Sequence, residues 1–341
     1  MARETRQNRL LTRTGSTRQE QGESALLPLI DPSVAHTRII SPAVRAEAEK
    51  LYLACGEIGF FTVKNTGLST DEFVNLFTQA HRFFAQPLED KMRIRIENSS
   101  HHRGYGTVGA EQLSPDTPAD FKETFDMSRD LDATHPGVRS GDPFYGPNQY
   151  PQLAGFKEVV ERHYQRLSET GLNLLALMAV SLELPIDYFD PLFNDQTSVL
   201  RMIHYPPATD AGQISAGAHT DYGCLTLLAQ DAVGGLEVKP KGQDWIRVPC
   251  EPDTLVVNIG DLMQRWSNNV FQSTLHRVIP PLGVDRYSTP FFLEPNTKTQ
   301  VACFPSCITP ETPCQYEPIF SDDWITSRFN QTYTYRQNLA Q

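Results

Sequence analysis

No stretch of this sequence approaches the roughly 18 consecutive apolar residues of an ordinary membrane span, so no membrane partner is expected. Basic residues are too few for a polyanion binder. Lys and Arg number 30 against 41 Asp and Glu, a formal charge of -11, which argues against long-range attraction to nucleic acid or an anionic surface. The 6 cysteines, at 55, 224, 250, 303, 307 and 314, lack the C-x2-C pairs of a zinc site. A reduced, cytoplasmic setting is expected from them. Residues 1–25 are Arg- and Ser/Thr-rich without an apolar h-region, which is unlike a secretory signal. Glu4, Glu20 and Glu23 weaken an organelle-transit reading, and the segment reads as a disordered tail because it cannot bury apolar surface.

What is present suits a globular chain with many turns: 341 residues, 39% hydrophobic, with 25 prolines. Ser41 and Pro42 read as the N-cap and first position of a helix carrying Val44, Ala48, Leu51 and Ala54 on one stripe. GFFTVKN reads as a strand, residues 70–85 as a helix, and Pro87 as the start of a short one. Residues 98–150 are loop-like, with periodicity only in FKETFDM. The spacing predicts the longest helix over 151–181, stopped by Pro185. From Ser198 onward short strands alternate, with turns at Gly234-Gly235 and Lys241-Gly242. Such a series favours a double-sheet jelly roll, mainly β with flanking helices.

Chemistry concentrates between Arg201 and Phe292. If His219 and Asp221 lie on an extended segment, the period of two sends both side chains to one face, where they can meet one ion. His276, closing QSTLH, is the candidate third ligand. Two imidazoles and a carboxylate make a facial triad suited to ferrous iron, leaving positions open for chemistry. Ten residues after His276 comes Arg286-Tyr287-Ser288, whose Arg and Ser project to one side of a strand. A guanidinium fork suits a carboxylate held bidentately, a serine hydroxyl adds a donor, and Tyr205 in HYPP is a further candidate.

These residues, with HTDYGCLTLLAQDAVGGLEV, VVNIGDLMQRWSN, STLHRV and RYSTPFF, resemble the iron(II)- and 2-oxoglutarate-dependent oxygenases, in the branch that includes isopenicillin N synthase. The resemblance covers roughly residues 27–300. It implies a double-stranded β-helix (jelly-roll, cupin-like) core. It also implies Fe(II) on His219, Asp221 and His276, and 2-oxoglutarate held by Arg286, Ser288 and Tyr205, with O2 as oxidant and ascorbate as a candidate reductant. Ile203 stands where many plant relatives have an asparagine near the oxoglutarate. The chain divides on this reading into the tail 1–25, an α/β supporting region 26–150 with substrate-side loops, and a core-backing helix region 151–195. The catalytic jelly roll follows over 196–300, then a C-terminal extension over 301–341.

The implied activity is hydroxylation, desaturation or ring closure at an unactivated C–H bond of a small metabolite, releasing succinate and CO2, with specialised metabolism as the setting. Relatives cover the active-site mouth with the region matching 98–150 and with a C-terminal helix. Arg103, Tyr105, Lys122, Glu123, Phe125, Arg201, Phe292, Phe329 and Tyr333 are thus substrate-side candidates. Arg201 and Lys122 are read either as partners of a substrate carboxylate or, for Arg201, as half of a buried structural pair. The alternatives are an isopenicillin N synthase-type oxidase that uses no oxoglutarate, an ethylene-forming enzyme, and a non-enzymatic jelly-roll binding protein. A monomer or weak homodimer is expected.

Overall fold

From residue 199 onward the chain passes back and forth between two sheets, and this alternation encloses the site. A computed structural model describes residues 27–111, 120–208, 210 and 215–332; the expected tail and Tyr333 lie outside the described residues. The strands are β1 (Leu29–Ile30), β2 (Phe60–Val63), β3 (Gly104–Gly106), β4 (Glu123–Met127), β5 (Val199–Tyr205), β6 (Ala216–His219) and β7 (Leu225–Gln230). They continue with β8 (Leu236–Lys239), β9 (Ile246–Arg247), β10 (Leu255–Ile259), β11 (Leu275–Val278), β12 (Arg286–Leu293), β13 (Gln300–Val301) and β14 (Ile319–Phe320). The helices are α1 (Pro42–Glu57), α2 (Thr70–Phe84), α3 (Leu88–Met92), α4 (Pro136–Arg139), α5 (Phe156–Ser181), α6 (Asp261–Trp266) and α7 (Ser321–Thr332).

Eight strands form one sheet in the order β1-β2-β10-β7-β12-β5-β4-β3, and four form a second in the order β6-β11-β8-β9. Between β5 and β12 the strands are shared out alternately: β5, β7, β10 and β12 to the large sheet, β6, β8, β9 and β11 to the small one. This is the double-sheet jelly roll that the strand series favours, and the double-stranded β-helix that the resemblance implies. Segments N-terminal to it extend the large sheet at both edges, β1 and β2 on one side and β4 and β3 on the other.

Helix starts follow local chemistry. Ser41 Oγ accepts from Val44 N at the head of α1, with Pro42 at the position whose N–H would be unpaired in any case. Ser69 and Glu72 make a reciprocal capping box on α2. The long helix α5 begins at Phe156, later than the apolar spacing predicts, because Gly155 has φ 77 and breaks the helical path. Its buried stripe, Phe156, Val160, Tyr164, Leu167, Leu174 and Leu175, packs with α1 and α2 against the outer face of the large sheet. Gly171 lets helix and sheet approach closely: a Cβ there would stand 2.9 Å from Leu293 Cδ2.

A smaller apolar group, including Phe60, Ile203, Leu236, Val256 and Val278, lies between the two sheets. The helices thus brace one face of the large sheet and leave the other face to the site. Residues 98–150 contain more strand than their composition predicts. β3 is only Gly-Tyr-Gly, and every residue of β4 is buried although Glu123 and Asp126 are charged. Their carboxylates are paired within the fold, so no apolar/polar alternation marks the strand.

Candidate active site

Three neighbouring strands present one parity of residue to the space between the sheets. On β12 and just beyond it these are Arg286, Ser288, Pro290, Phe292 and Glu294; on β5, Val199, Arg201, Ile203 and Tyr205; from β4 and the residue before it, Asp126 and Lys122. The intervening residues, such as Tyr287, Phe291, Leu200, Met202 and Phe125, join the helix-side core. The enclosed cavity has a volume of about 270 Å³, the size of a small-molecule pocket rather than a polymer groove.

His219, Asp221 and His276 converge at the end of this cavity where the sheets meet, each offering one ligand atom within 4.8 Å of the others. β6 and β11 set the two histidines opposite each other as Cα partners. Each Nδ1 is taken up by a main-chain carbonyl, Gly217 O at 2.6 Å for His219 and Thr274 O at 3.1 Å for His276. Both Nε2 atoms are thereby turned toward Asp221 Oδ1, at 3.7 and 3.6 Å. The other oxygen, Oδ2, accepts from Thr226 Oγ1 at 2.5 Å and Asn258 Nδ2 at 2.8 Å, which fixes the carboxylate plane.

Burial opposes ionisation of Asp221, but the neighbouring imidazoles and the Thr226 bond outweigh it and hold the group well below the usual carboxylate range. Burial, reinforced by the charge of His276, pushes His219 down to about 4. A neutral imidazole and an ionised carboxylate are the forms that ligate a divalent cation. Close approach of the backbone also matters here. Asp261 N donates to Asp221 O at 2.8 Å, and a Cβ on Gly260 would fall 2.2 Å from Gly223 O. Gly260 allows this contact, and Asp261 accepts from the Thr220 and Ser273 hydroxyls.

Arg286 is 1% exposed and has no carboxylate within salt-bridge distance among the described residues. Its Nε donates to Gly234 O at 2.6 Å, Nη1 reaches Ser288 Oγ at 3.3 Å and Nη2 reaches Gln230 Oε1 at 3.4 Å. Tyr205, its Cα partner on β5, lies beneath the guanidinium with the ring centroid 4.7 Å away. A buried guanidinium facing a cavity with only neutral partners fits an anionic ligand. Ile203, the Cα partner of Ser288, lines the same wall.

The opposite wall carries charges that satisfy one another. Arg201 makes two 2.6 Å bonds to Asp126, and its Nη1 lies 2.8 Å from Glu111. Lys122 lies 3.0 Å from Glu111 and 2.8 Å from Asp120. Among the described residues Arg103, 3% exposed, donates only to the carbonyls of His101, His102 and Phe144, and its Nε has no partner. Burial pulls its guanidinium down to about 10. Arg103, Lys122, Arg201, Phe292 and Phe329 all line the cavity, whereas Tyr105 and Phe125 do not. Phe125 has the helix-side parity of β4, packing on Phe83 and Phe156. Tyr105 turns its hydroxyl to Glu123, which also binds Lys91 and His204 on that side.

α7 lines one side of the cavity. Its Ile325, Thr326, Phe329 and Thr332 face the cavity, and Trp324 Nε1 donates to Tyr222 O at 2.8 Å, tying the helix to the residue after Asp221. Phe329 stacks on His102 at 4.6 Å. Trp266, at the end of α6, stacks on Phe304 and meets Phe189 edge-on. Residues the sequence reading missed include Glu111, Asp120, Asp126, Thr226, Asn258 and Glu294. Glu294 was within reach of the period-two pattern that selected Arg286 and Ser288. Burial, aided by the charge of Asp221, pushes its carboxyl well above the ordinary range, and Oε2 has no partner.

The comparisons with known proteins agree with this geometry. Residues 196–295 match the family model described as the 2OG-Fe(II) oxygenase superfamily, and residues 27–153 match the N-terminal region of a non-haem dioxygenase in morphine synthesis. The chain is 35% identical to the 2-oxoglutarate-Fe(II) type oxidoreductase hxnY of Emericella nidulans, over 84% of this chain and 86% of that protein. It is 32% identical to the proline hydroxylase buaE of Petromyces alliaceus, over 84% and 94% respectively. A full-length Neurospora crassa protein, solved in complex with alpha-KG and thymine, superposes with a TM-score of 0.77 at 29% identity, covering 92% of this chain and 98% of that one. Sequence, fold and site together place the chain in the 2OG-Fe(II) oxygenase superfamily, as a non-haem iron dioxygenase that uses Fe(II), 2-oxoglutarate and O2.

Proposed function

We propose that His219, Asp221 and His276 hold the iron, that Arg286, Ser288 and Tyr205 hold the distal carboxylate of 2-oxoglutarate, and that the enzyme hydroxylates an unactivated C–H bond of a small, uncharged ring compound. The observation that carries this reading is the single cavity-facing parity of β12, which starts with a buried guanidinium lacking a carboxylate partner and ends beside the triad. Held by these three side chains, ferrous iron would supply oxygen activation, with 2-oxoglutarate as the co-reductant that is converted to succinate and CO2. The chain's own residues position the reactants. Gly234 O and the Tyr205 ring orient the Arg286 fork, while Thr226 and Asn258 keep one oxygen of Asp221 occupied so that the other faces the histidines. α7 and its Phe329 limit water entry from the mouth.

The substrate's charge follows from the far wall. Arg201 and Lys122 are committed to Asp126, Glu111 and Asp120, and the third cation, Arg103, offsets the remaining negative charge of that group at longer range. A charged substrate would leave a buried charge without compensation, which costs several kcal/mol. Aromatic surfaces at Phe60, Phe144, Phe292 and Phe329 suit a flat ring, and the unpartnered Nε of Arg103 suits a carbonyl acceptor. Thymine, present in the Neurospora crassa structure, is such a compound. A reducing cytoplasm is the compartment we infer, supported by 6 cysteines that all stand as thiols; no described helix is long and apolar enough to cross a membrane.

Succinate, ethylene and oxygen uptake measured together, with and without 2-oxoglutarate, test the reaction class. Succinate release that requires 2-oxoglutarate is expected, and undiminished oxygen uptake without it would overturn the reading. A panel of neutral cyclic amides, thymine included, set against matched carboxylates tests the substrate class. Only the neutral members should stimulate succinate release.

A further inference from the structure

Two of the six thiols lie together, away from the cavity, in the segment that leads from β13 to β14 and on into α7. Cys303 is 8% exposed, and its Sγ lies 3.7 Å from Arg265 O, 3.6 Å from Asn268 Oδ1 and 4.0 Å from Tyr316 O. Cys314 is exposed, and its Sγ lies 3.2 Å from the same Tyr316 carbonyl. The two thiols thus converge on one carbonyl oxygen, that of Tyr316.

Their proximity is built in by Asn268, which holds φ 49, the left-handed conformation that asparagine tolerates. Its Nδ2 donates to the carbonyls of Cys307, Thr312 and Pro313, while its Oδ1 accepts from Gln315 N at 3.0 Å. The loop that carries Cys314 is thereby pinned over Cys303.

Burial pushes the thiols of Cys55 and Cys224 far up, and that of the half-buried Cys250 up as well; Cys307 is buried. The Cys314 thiol is instead pulled below its ordinary value, by the neighbouring Cys303 thiol and by main-chain bonds at Tyr316. Thiolate character, exposure and an adjacent second thiol are the features that distinguish a reactive cysteine from an inert buried one.

We propose that Cys303 and Cys314 are a peroxide-oxidised pair that closes a reversible intramolecular disulfide. The Cys314 thiolate attacks one oxygen of hydrogen peroxide, breaking the O–O bond; the sulfur becomes a sulfenic acid and the second oxygen leaves as hydroxide, protonated to water. The sulfur of Cys303 then attacks Sγ of Cys314, the sulfenic oxygen departs with the Cys303 proton as a second water, and the S–S bond forms. Two electrons pass from the thiols to one peroxide, so no further reagent is required. The loop closed in this way ends five residues before β14, which runs directly into α7, the helix whose Phe329 faces the cavity.

The test uses the full-length, reduced protein titrated with hydrogen peroxide, followed by differential alkylation and peptide mass mapping. Expected are a loss of about 2 Da per chain and a linked peptide joining Cys303 to Cys314, both reversed by dithiothreitol. Cys303→Ser should stop at a dimedone-reactive sulfenic acid on Cys314. Cys314→Ser, an exposed change that leaves the packing intact, should abolish the disulfide and slow loss of the first thiol at least about tenfold. Oxidation of another cysteine ahead of this pair, a link between two chains, or unchanged oxidation kinetics in Cys314→Ser would overturn the proposal.

Discussion

Replacing Arg286 by lysine keeps a positive charge on β12 but removes the planar fork, and the structure sets the size of the effect. The guanidinium spends Nε on Gly234 O at 2.6 Å and turns both terminal nitrogens toward the Ser288 and Gln230 side. A lysine ammonium is a point charge that cannot bond the Gly234 carbonyl and still present two parallel donors to a carboxylate. Losing one charge-assisted bond costs about 2 kcal/mol, or roughly thirtyfold in affinity. Initial rates of succinate release against 2-oxoglutarate concentration should therefore show KM for 2-oxoglutarate up about thirtyfold, with kcat changed far less because the triad is untouched. Ser288→Ala removes one donor and should raise KM only about fivefold, corresponding to about 1 kcal/mol. Arg201→Lys serves as the control, since its partners are Asp126 and Glu111. An unaltered KM in Arg286→Lys, or an equal rise in Arg201→Lys, would refute the assignment of the two arginines.

Asp221→Ala should abolish stoichiometric Fe(II) binding, read by equilibrium dialysis and metal analysis, while circular dichroism keeps its native form; retained iron with normal turnover would contradict the triad. Arg201→Met strands the fully buried Asp126 and one side of Glu111, so urea unfolding should show a loss of about 3–5 kcal/mol, partly recovered when Asp126→Asn is added. His163 supplies a pH signature. Burial pushes it down to about 4 from the ordinary 6.5, and its Nε2 has no partner. The unfolded chain therefore binds this proton while the folded one does not, and stability present above pH 6.5 is lost as pH falls toward 4, by on the order of 3 kcal/mol. His163→Phe should flatten that part of the stability profile, and an identical slope in both proteins would rule His163 out as its source.

Local chemistry was legible along the chain wherever neighbours in sequence are neighbours in space. Ser41-Pro42 and Ser69 begin helices because a cap acts on amides within one turn. His219 and Asp221 are two residues apart, as are Arg286 and Ser288, and backbone geometry alone puts each pair on one side. What periodicity does not say is which side becomes the cavity. On β4 and the residue before it that choice set Asp126 and Lys122 to the site and Phe125 to the helix core, and only the packing of α2 and α5 on one face of the large sheet decided it. The ion pairs of the wall were equally out of reach, since Arg201 meets Asp126 across 75 residues through the register of β4 with β5. Asn258 reaches Asp221 through a chain crossing of the same kind, and Cys314 comes to the Tyr316 carbonyl beside Cys303 because Asn268, from another part of the chain, holds their loop. The sequence by itself determined the donors, the caps and the alternation; tertiary structure decided their partners, because a charge or a thiol acquires its chemistry from what is packed against it.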